Sequence, residues 1–243
     1  MKNSHALAAL ALLAAALQTM PAVAADKINQ CKTITQSGSY VVTKNLNANG
    51  DCIVVKADFV TIDLDGFLIE GNGTGGGITD LGAFSNVGVT VRNGTVSNFF
   101  NGISLASSTG MVERITSAGN TNVGIVLVSG IVRDSIATGN VNNSGISVGP
   151  RSLVTGSNST GNDVGIVTNI GTTIIGNTVG LNVRHGIVMS GNGTIVNNTS
   201  NNNPQLGIHA ECPSVVVGNT AVGNGTNLSL VGAGCASDHN AAP

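Results

Sequence analysis

Residues 145–148 read Gly-Ile-Ser-Val, residues 165–168 Gly-Ile-Val-Thr, residues 186–189 Gly-Ile-Val-Met and residues 207–210 Gly-Ile-His-Ala. Gly102-Ile103 and Gly124-Ile125 begin the series upstream, and the six glycines stand 22, 21, 20, 21 and 21 residues apart. After each Gly-Ile comes a short turn, then a second apolar pair such as Leu153-Val154, Ile174-Ile175 or Val216-Val217. A corner rich in Asn, Gly and Thr completes the repeat. The apolar runs are short and β-branched, are bounded by Gly and Asn, and show no helical period. Such a unit cannot bury its apolar side chains alone, so neighbouring units must stack. The pattern predicts an all-β chain coiled as a single-stranded parallel β-helix, with about 21 residues per turn. Between Cys31 and Cys235 there is room for nine to ten turns. Stacked ~4.8 Å apart, they make a rod ~45 Å long.

Strand alternation assigns the faces. With the Gly-Ile isoleucines inward, one buried ladder is Ile103, Ile125, Ile146, Ile166, Ile187 and Ile208. A second, two residues on, is Leu105, Leu127, Val148, Thr168, Met189 and Ala210. The outward column between them (Ser104, Val126, Ser147, Val167, Val188, His209) is small and nearly uncharged. It holds no threonine array, which disfavours recognition of ice or another repeating lattice. Corners need left-handed backbone, which Gly and Asn accept most readily. That need, with asparagine side chains hydrogen-bonding along the stack, accounts for 34 glycines and 30 asparagines in 243 residues.

Composition excludes other classes. The chain is 41% hydrophobic and only 9% charged, with a net charge of −2. Disorder requires the opposite balance, and nucleic-acid binding requires a basic footprint. Glycine does not recur at every third position, so collagen is excluded. No segment is long and apolar enough to span a membrane. Residues 1–25 carry an n-region with Lys2, an apolar stretch from Ala6 to Leu17 and an Ala22-Val23-Ala24 cleavage pattern. They are expected to be a cleaved signal peptide, leaving one β-helix domain over 26–243 in the periplasm or outside the cell. In that compartment four cysteines suggest disulfides. Cys31 and Cys52 are 21 residues apart, and Cys212 and Cys235 are 23 apart, each about one turn. Residues stacked ~5 Å apart lie within disulfide reach. Of the three possible connectivities, Cys31–Cys52 and Cys212–Cys235 is favoured, with one bridge stapling each end.

Two earlier segments, Phe59-Val60-Thr61-Ile62-Asp63-Leu64-Asp65-Gly66 and Val89-Thr90-Val91-Arg92-Asn93-Gly94-Thr95-Val96, and the opening strand Gly38-Ser39-Tyr40-Val41-Val42 complete a resemblance. With the Gly-Ile turns, they make the chain resemble exported right-handed parallel β-helix proteins of the pectate-lyase-like superfamily, in the branch with NosD-type repeats. The resemblance implies a right-handed coil. It also implies a partner that is a polysaccharide or another cell-envelope component. If the chain is an enzyme, the resemblance implies a lyase, a hydrolase or an epimerase, with calcium as a cofactor only in the lyase case. Otherwise no cofactor or resident metal is expected. Fold alone does not name an activity.

The candidate catalytic residues are Asp63, Asp65, Arg92, Arg184 and His185. Asp63 and Asp65, both outward on one strand, are the best carboxylate pair, with a spacing of ~6.5–7 Å. Such a pair suits acid–base work or oxygen ligation of a cation. Arg92, about one turn later, can ion-pair with them or meet an acidic sugar. His185 can serve as a base and Arg184 can neutralise a uronate. Asn101, His209 and Glu211 are the candidate substrate-binding residues. Arg114, Arg133 and Arg151 fall in neighbouring turns as a possible stripe for an anionic polymer, but Glu113 and Asp134 beside them favour local charge balance. The glycine-rich stretch 71–77 precedes no helix and reads as an excursion from the rod. The functional expectation is binding or processing of a polysaccharide along the lateral surface. The alternative is a non-catalytic structural or protein-interaction module. No oligomeric state is specified by the pattern.

Overall fold

A computed structural model describes residues 24–80 and 86–243. The expected signal segment lies almost wholly outside the described residues. All regular structure among them is β-strand, and every strand pairing is parallel. The strands coil into a solenoid with three faces, each face receiving a contribution from nearly every turn.

The first face holds the Gly-Ile strands: Lys32–Ile34, Ile53–Val55, Gly76–Thr79, Ser144–Val148, Val164–Thr168, His185–Met189, Leu206–Glu211, Thr226–Val231 and parts of two longer strands. One longer strand, Asn101–Ala118, bends through two corners and serves all three faces; Ile125–Arg133 bends through one. The register stacks Ile53, Ile78, Ile103, Ile125, Ile146, Ile166, Ile187, Ile208 and Leu228 in one column. The isoleucines of that column are fully buried, as the alternation predicts. The second face stacks Tyr40, Ile62, Val91, Val112, Val132, Val154, Ile174, Ile195 and Val216 inward. The third face lines the core with smaller groups: Leu46, Ile69 and Val96, then Ser117, Ala137, Ser159, Val179, Ser200 and Ala221. About ten turns of ~21 residues result, as the sequence predicts.

Two corners are held by buried asparagine ladders. Between the second and third faces, Asn177, Asn198, Asn219 and Asn240 each accept from the backbone N–H of the preceding turn. The side-chain amide of Asn198 donates to the carbonyls of Ile174 and Val196. Between the third and first faces, Asn120, Asn140, Asn162, Asn182, Asn203 and Asn224 repeat the scheme. An amide both donates and accepts, so each member satisfies corner carbonyls and a neighbour's N–H that no sheet ladder reaches.

Two demands on glycine, which the sequence pattern alone does not separate, are met at different positions. Gly139, Gly161 and Gly176 sit at corners with φ of 66°, 67° and 67°, where the backbone is left-handed. The Gly-Ile glycines do not. A Cβ on Gly186 would overlap the Ser200 hydroxyl and lie 2.8 Å from Nδ2 of Asn203. These glycines point inward against the asparagine ladder, and the close approach is what demands them.

Both expected disulfides form. Cys31–Cys52 has a Cα separation of 4.4 Å and Cys212–Cys235 one of 4.9 Å. Stretch 71–77 is not an excursion. Gly76–Thr79 is a first-face strand paired with its neighbours above and below. The longer turn lies further on, where Ile62 and Val91 stack although 29 residues apart. Part of the extra length, residues 81–85, lies outside the described residues.

Candidate functional site

Three lateral regions carry polar chemistry. On the second face, Asp63, Arg92, Glu113 and Arg133 stack in one outward column, one per turn and alternating in sign. Parallel in-register stacking puts each charge directly over an opposite one. Nε of Arg92 lies 2.9 Å from Oδ2 of Asp63, and Asn93 donates to both oxygens of that carboxylate at 3.0 and 3.1 Å. Glu113 is 3% exposed and is held by Nε of Arg133 at 2.7 Å and by Nη2 of Arg114 at 2.9 Å. Arg114 also donates to Asn93 at 2.7 Å, which joins the members into one network. Burial raises the Glu113 carboxyl, but the Arg133 and Arg114 guanidiniums outweigh it, so the group titrates below its ordinary range. Asp63 is likewise lowered: burial opposes the shift, while the Asp65 N–H, Asn93 and Arg92 produce it.

The expected Asp63–Asp65 pairing on one strand is corrected by this geometry. The strand Val60–Asp63 ends at Asp63. Asp65 follows in the turn with φ of 47°, and its N–H donates to Oδ1 of Asp63 at 3.0 Å. Val60, Ile62 and Leu64 are fully buried and Asp65 is exposed, so the alternation holds past the strand end, but only Asp63 belongs to the strand. Both oxygens of Asp63 are engaged, which makes an ion-pair site and not a free oxygen cage for calcium. Among the described residues, no group of three or more His, Cys, Asp or Glu is arranged to hold a metal ion. Glu113 ion-pairs with both Arg114 and Arg133, which ties two of the three stripe arginines to a local carboxylate.

On the first face, Arg184 forms a two-point ion pair with Asp163 of the preceding turn, with Nε to Oδ1 at 2.7 Å. Sequence reasoning missed Asp163; its signal is a position 21 residues before Arg184. The Arg184 hydrogen bond holds the Asp163 carboxyl low. His185, next along the strand His185–Met189, is half-buried, and its Nδ1 accepts the Leu206 N–H at 3.3 Å. In the neutral ring that bond leaves the proton on Nε2. Burial, then Arg184 and His209, depress the His185 pKa. His209 lies in the outward column with Val188, and its Nδ1 is 3.1 Å from the Ser229 hydroxyl. Structure therefore brings Arg184, His185 and His209 into one neighbourhood with Asp163, although the two histidines occupy different columns. Glu211 is exposed at the end of Leu206–Glu211. Asn101 lies several turns away, where its Oδ1 accepts from Asn122, which accepts in turn from Asn143. Asn101 is part of an outward asparagine stack and is not adjacent to the histidines. Asp63 and Arg92 belong to the second face, so the eight candidate residues form no single site.

The third face carries a pattern that sequence reasoning missed. Its outward columns carry one threonine per turn over seven turns. Thr95, Thr116, Thr178, Thr199 and Thr220 stand in one column, and Thr138 and Thr160 in the other. No charged side chain stands in these columns from Thr95 to Val222. A groove of about 230 Å³ crosses this face, lined by Asn158, Thr160, Thr178, Leu181, Thr199 and Asn201 among others.

No family model matches the chain, and no curated protein matches it. Among solved structures, the A-module of the Azotobacter vinelandii mannuronan C-5 epimerase AlgE6 is similar, with a TM-score of 0.54 at 16% identity. The match covers 89% of this chain and 80% of that one. At that identity the likeness concerns the fold.

Proposed function

We propose that this protein is exported and binds a polysaccharide along its lateral surface. The observation that carries the reading is the parallel stacking of about ten turns, which aligns outward residues into columns along the rod. Such a surface offers one outward position per turn at a spacing of ~4.8 Å, which suits a polymer that repeats along its own axis and gains avidity from each repeat. The fold likeness to a module whose name gives a polysaccharide as its substrate supports the same class of ligand. Export draws support from the two disulfides, which persist in oxidising compartments, and from the n-region, apolar stretch and cleavage pattern of residues 1–25. Membership of the NosD-type branch rests on the repeat pattern.

Binding is favoured over turnover because Asp63, Glu113 and Asp163 are each neutralised by arginine. The processing reading rests on His185, whose Nε2 proton and depressed pKa suit a neutral acid–base group beside Arg184.

The test is affinity electrophoresis of the oxidised 26–243 chain through gels containing neutral or uronate polymers, with and without calcium. Parallel assays for reducing ends and unsaturated products read turnover. Retardation without product supports the binding reading. Product formation that His185→Gln abolishes transfers the assignment to catalysis. Unretarded migration in every gel, with no product, leaves a structural rod.

A further inference from the structure

We infer that the polymer-binding surface is the third face, and that its ligand is an uncharged, hydroxyl-rich glycan seated in the groove between Asn158 and Asn201. The inference rests on the polysaccharide reading and assigns it a face and a ligand chemistry.

Four observations converge on this face. Its outward columns are uncharged from Thr95 to Val222, beyond Glu70 near their start, whereas the charged networks stand on the second face (Asp63 to Arg133) and at the first-face edge (Asp163–Arg184). A uronate polymer laid along these columns between Thr95 and Val222 would meet no cationic side chain in them. Next, the hydroxyls of the seven third-face threonines, all among the described residues, make no hydrogen bond within the protein. The buried corner residue Asn198, by contrast, commits its amide to the carbonyls of Ile174 and Val196 and to Oδ1 of Asn219. A hydroxyl without a protein partner can both donate and accept, as a sugar hydroxyl does. The amide nitrogen of Asn201 is similarly available, because its Oδ1 alone is used, accepting the Val222 N–H at 3.0 Å.

Shape is the third observation. The groove of about 230 Å³ lies where Thr178 stacks over Thr199 and Asn158 over Thr178. It is made by the sequence itself: Gly180 carries no side chain between Thr160 and Asn201 in the stacked column, so the surface dips there. The fourth is amphipathicity. Leu181 is 67% exposed at the groove wall, held outward by a left-handed corner with φ of 56°. A sugar ring has polar edges and apolar C–H faces, and this wall offers an apolar contact beside the polar floor. The face carries no aromatic side chain on its outward columns from Thr95 to Val222. Affinity per sugar is therefore modest and is multiplied by the turns engaged.

The lattice reading that the first-face column disfavours has its threonine array here. Ordered water is the competing occupant, and the experiment separates the two.

The experiment compares the oxidised wild type with Thr178→Val/Thr199→Val, which keeps the β-branched shape and removes two hydroxyls, and with Leu181→Glu, which lies in a corner outside the strands. Arg92→Gln/Arg184→Gln is the control on the charged faces. Matching circular dichroism and melting curves establish that each is folded. Affinity gels contain neutral glucan, neutral mannan or polyuronate at low and high salt, and thermal hysteresis is read in parallel. We expect retardation by a neutral polymer, insensitive to salt. The valine pair and Leu181→Glu should each weaken it at least tenfold, and the arginine pair should leave it unchanged. Neutral-polymer retardation that both third-face variants retain overturns the face assignment and leaves polysaccharide binding standing. Salt-sensitive retardation by polyuronate alone, lost in the arginine pair, overturns the ligand chemistry and again leaves the broader reading. Thermal hysteresis without retardation assigns the face to ordered water, and silence in every assay overturns both.

Discussion

The hydroxyl of Ser200 donates a 2.6 Å hydrogen bond to the carbonyl of Gly207, seven residues on in the chain. The two are brought together by a corner turn through Asn203, whose amide also donates to that hydroxyl at 3.3 Å. No room remains for a side chain on the glycine of the turn below, Gly186, which abuts the same hydroxyl. The Gly-Ile repeat is thus the imprint of a packing contact between the first and third faces.

Gly186→Ala should destabilise the fold by about 1–3 kcal/mol, the usual range for overpacking a filled site. Gly176→Asn tests the other kind of glycine. Gly176 has φ of 67°, and a side chain there would meet no other atom within 4 Å of its Cβ. Asn197 holds the equivalent corner one turn later with φ of 55°. That substitution should cost under about 1 kcal/mol, since Asn tolerates left-handed backbone. Chemical denaturation of both variants checks the contrast; equal losses would contradict the two-kind account.

Asn198→Ala should be among the most damaging corner substitutions. It strips the acceptor from the Asn177 N–H and the donor from the carbonyls of Ile174 and Val196. Leaving buried polar groups without partners costs about 1–3 kcal/mol each, so a loss near the top of the single-mutant range is expected. Asn198→Asp should also destabilise at neutral pH, because a carboxylate cannot donate to those carbonyls. Denaturation midpoints of the two variants against wild type check both losses.

Acid should weaken the second-face network. Glu113 titrates lower in the folded chain than its ordinary value. Its contribution is therefore present above the unfolded-state pKa and is lost as pH falls through the folded-state value. The melting temperature of the wild type should fall more steeply between about pH 6 and about pH 3 than that of Glu113→Gln. At neutral pH the variant should be less stable by about 2 kcal/mol. Parallel pH profiles would show that the carboxylate contributes nothing.

Reduction should loosen the ends first. Each bridge closes a loop of about one turn, 21 residues for Cys31–Cys52 and 23 for Cys212–Cys235. The loop-entropy estimate for such a bridge is ~3 kcal/mol. Hydrogen exchange after reduction should accelerate in the terminal turns and little around Ile146 and Ile166. Peptide mapping without reduction should link Cys31 to Cys52 and Cys212 to Cys235.

Much of this architecture is legible in the sequence, because a solenoid writes its period into the chain. The isoleucine ladders and the cysteine pairs all follow from counting about 21 residues forward. The hand of the coil comes from the resemblance alone. What counting cannot carry is the phase across a corner. Ile195 and Ser200 both point inward although five residues apart, because left-handed Asn197 resets the alternation. A face identified from one strand therefore says nothing of the next. This is why the threonine columns of the third face are hidden in the sequence. The Asp163–Arg184 pair is visible only once adjacent turns are superposed.

Binding along the length of the rod is the central functional claim, and it is tested most directly by titrating the oxidised protein calorimetrically with oligosaccharides of increasing length, cut from whichever polymer retards it. The account predicts affinity that rises with each added sugar until several turns are spanned, then levels off. Affinity that is already maximal for a mono- or disaccharide, or no heat with any length, would contradict it.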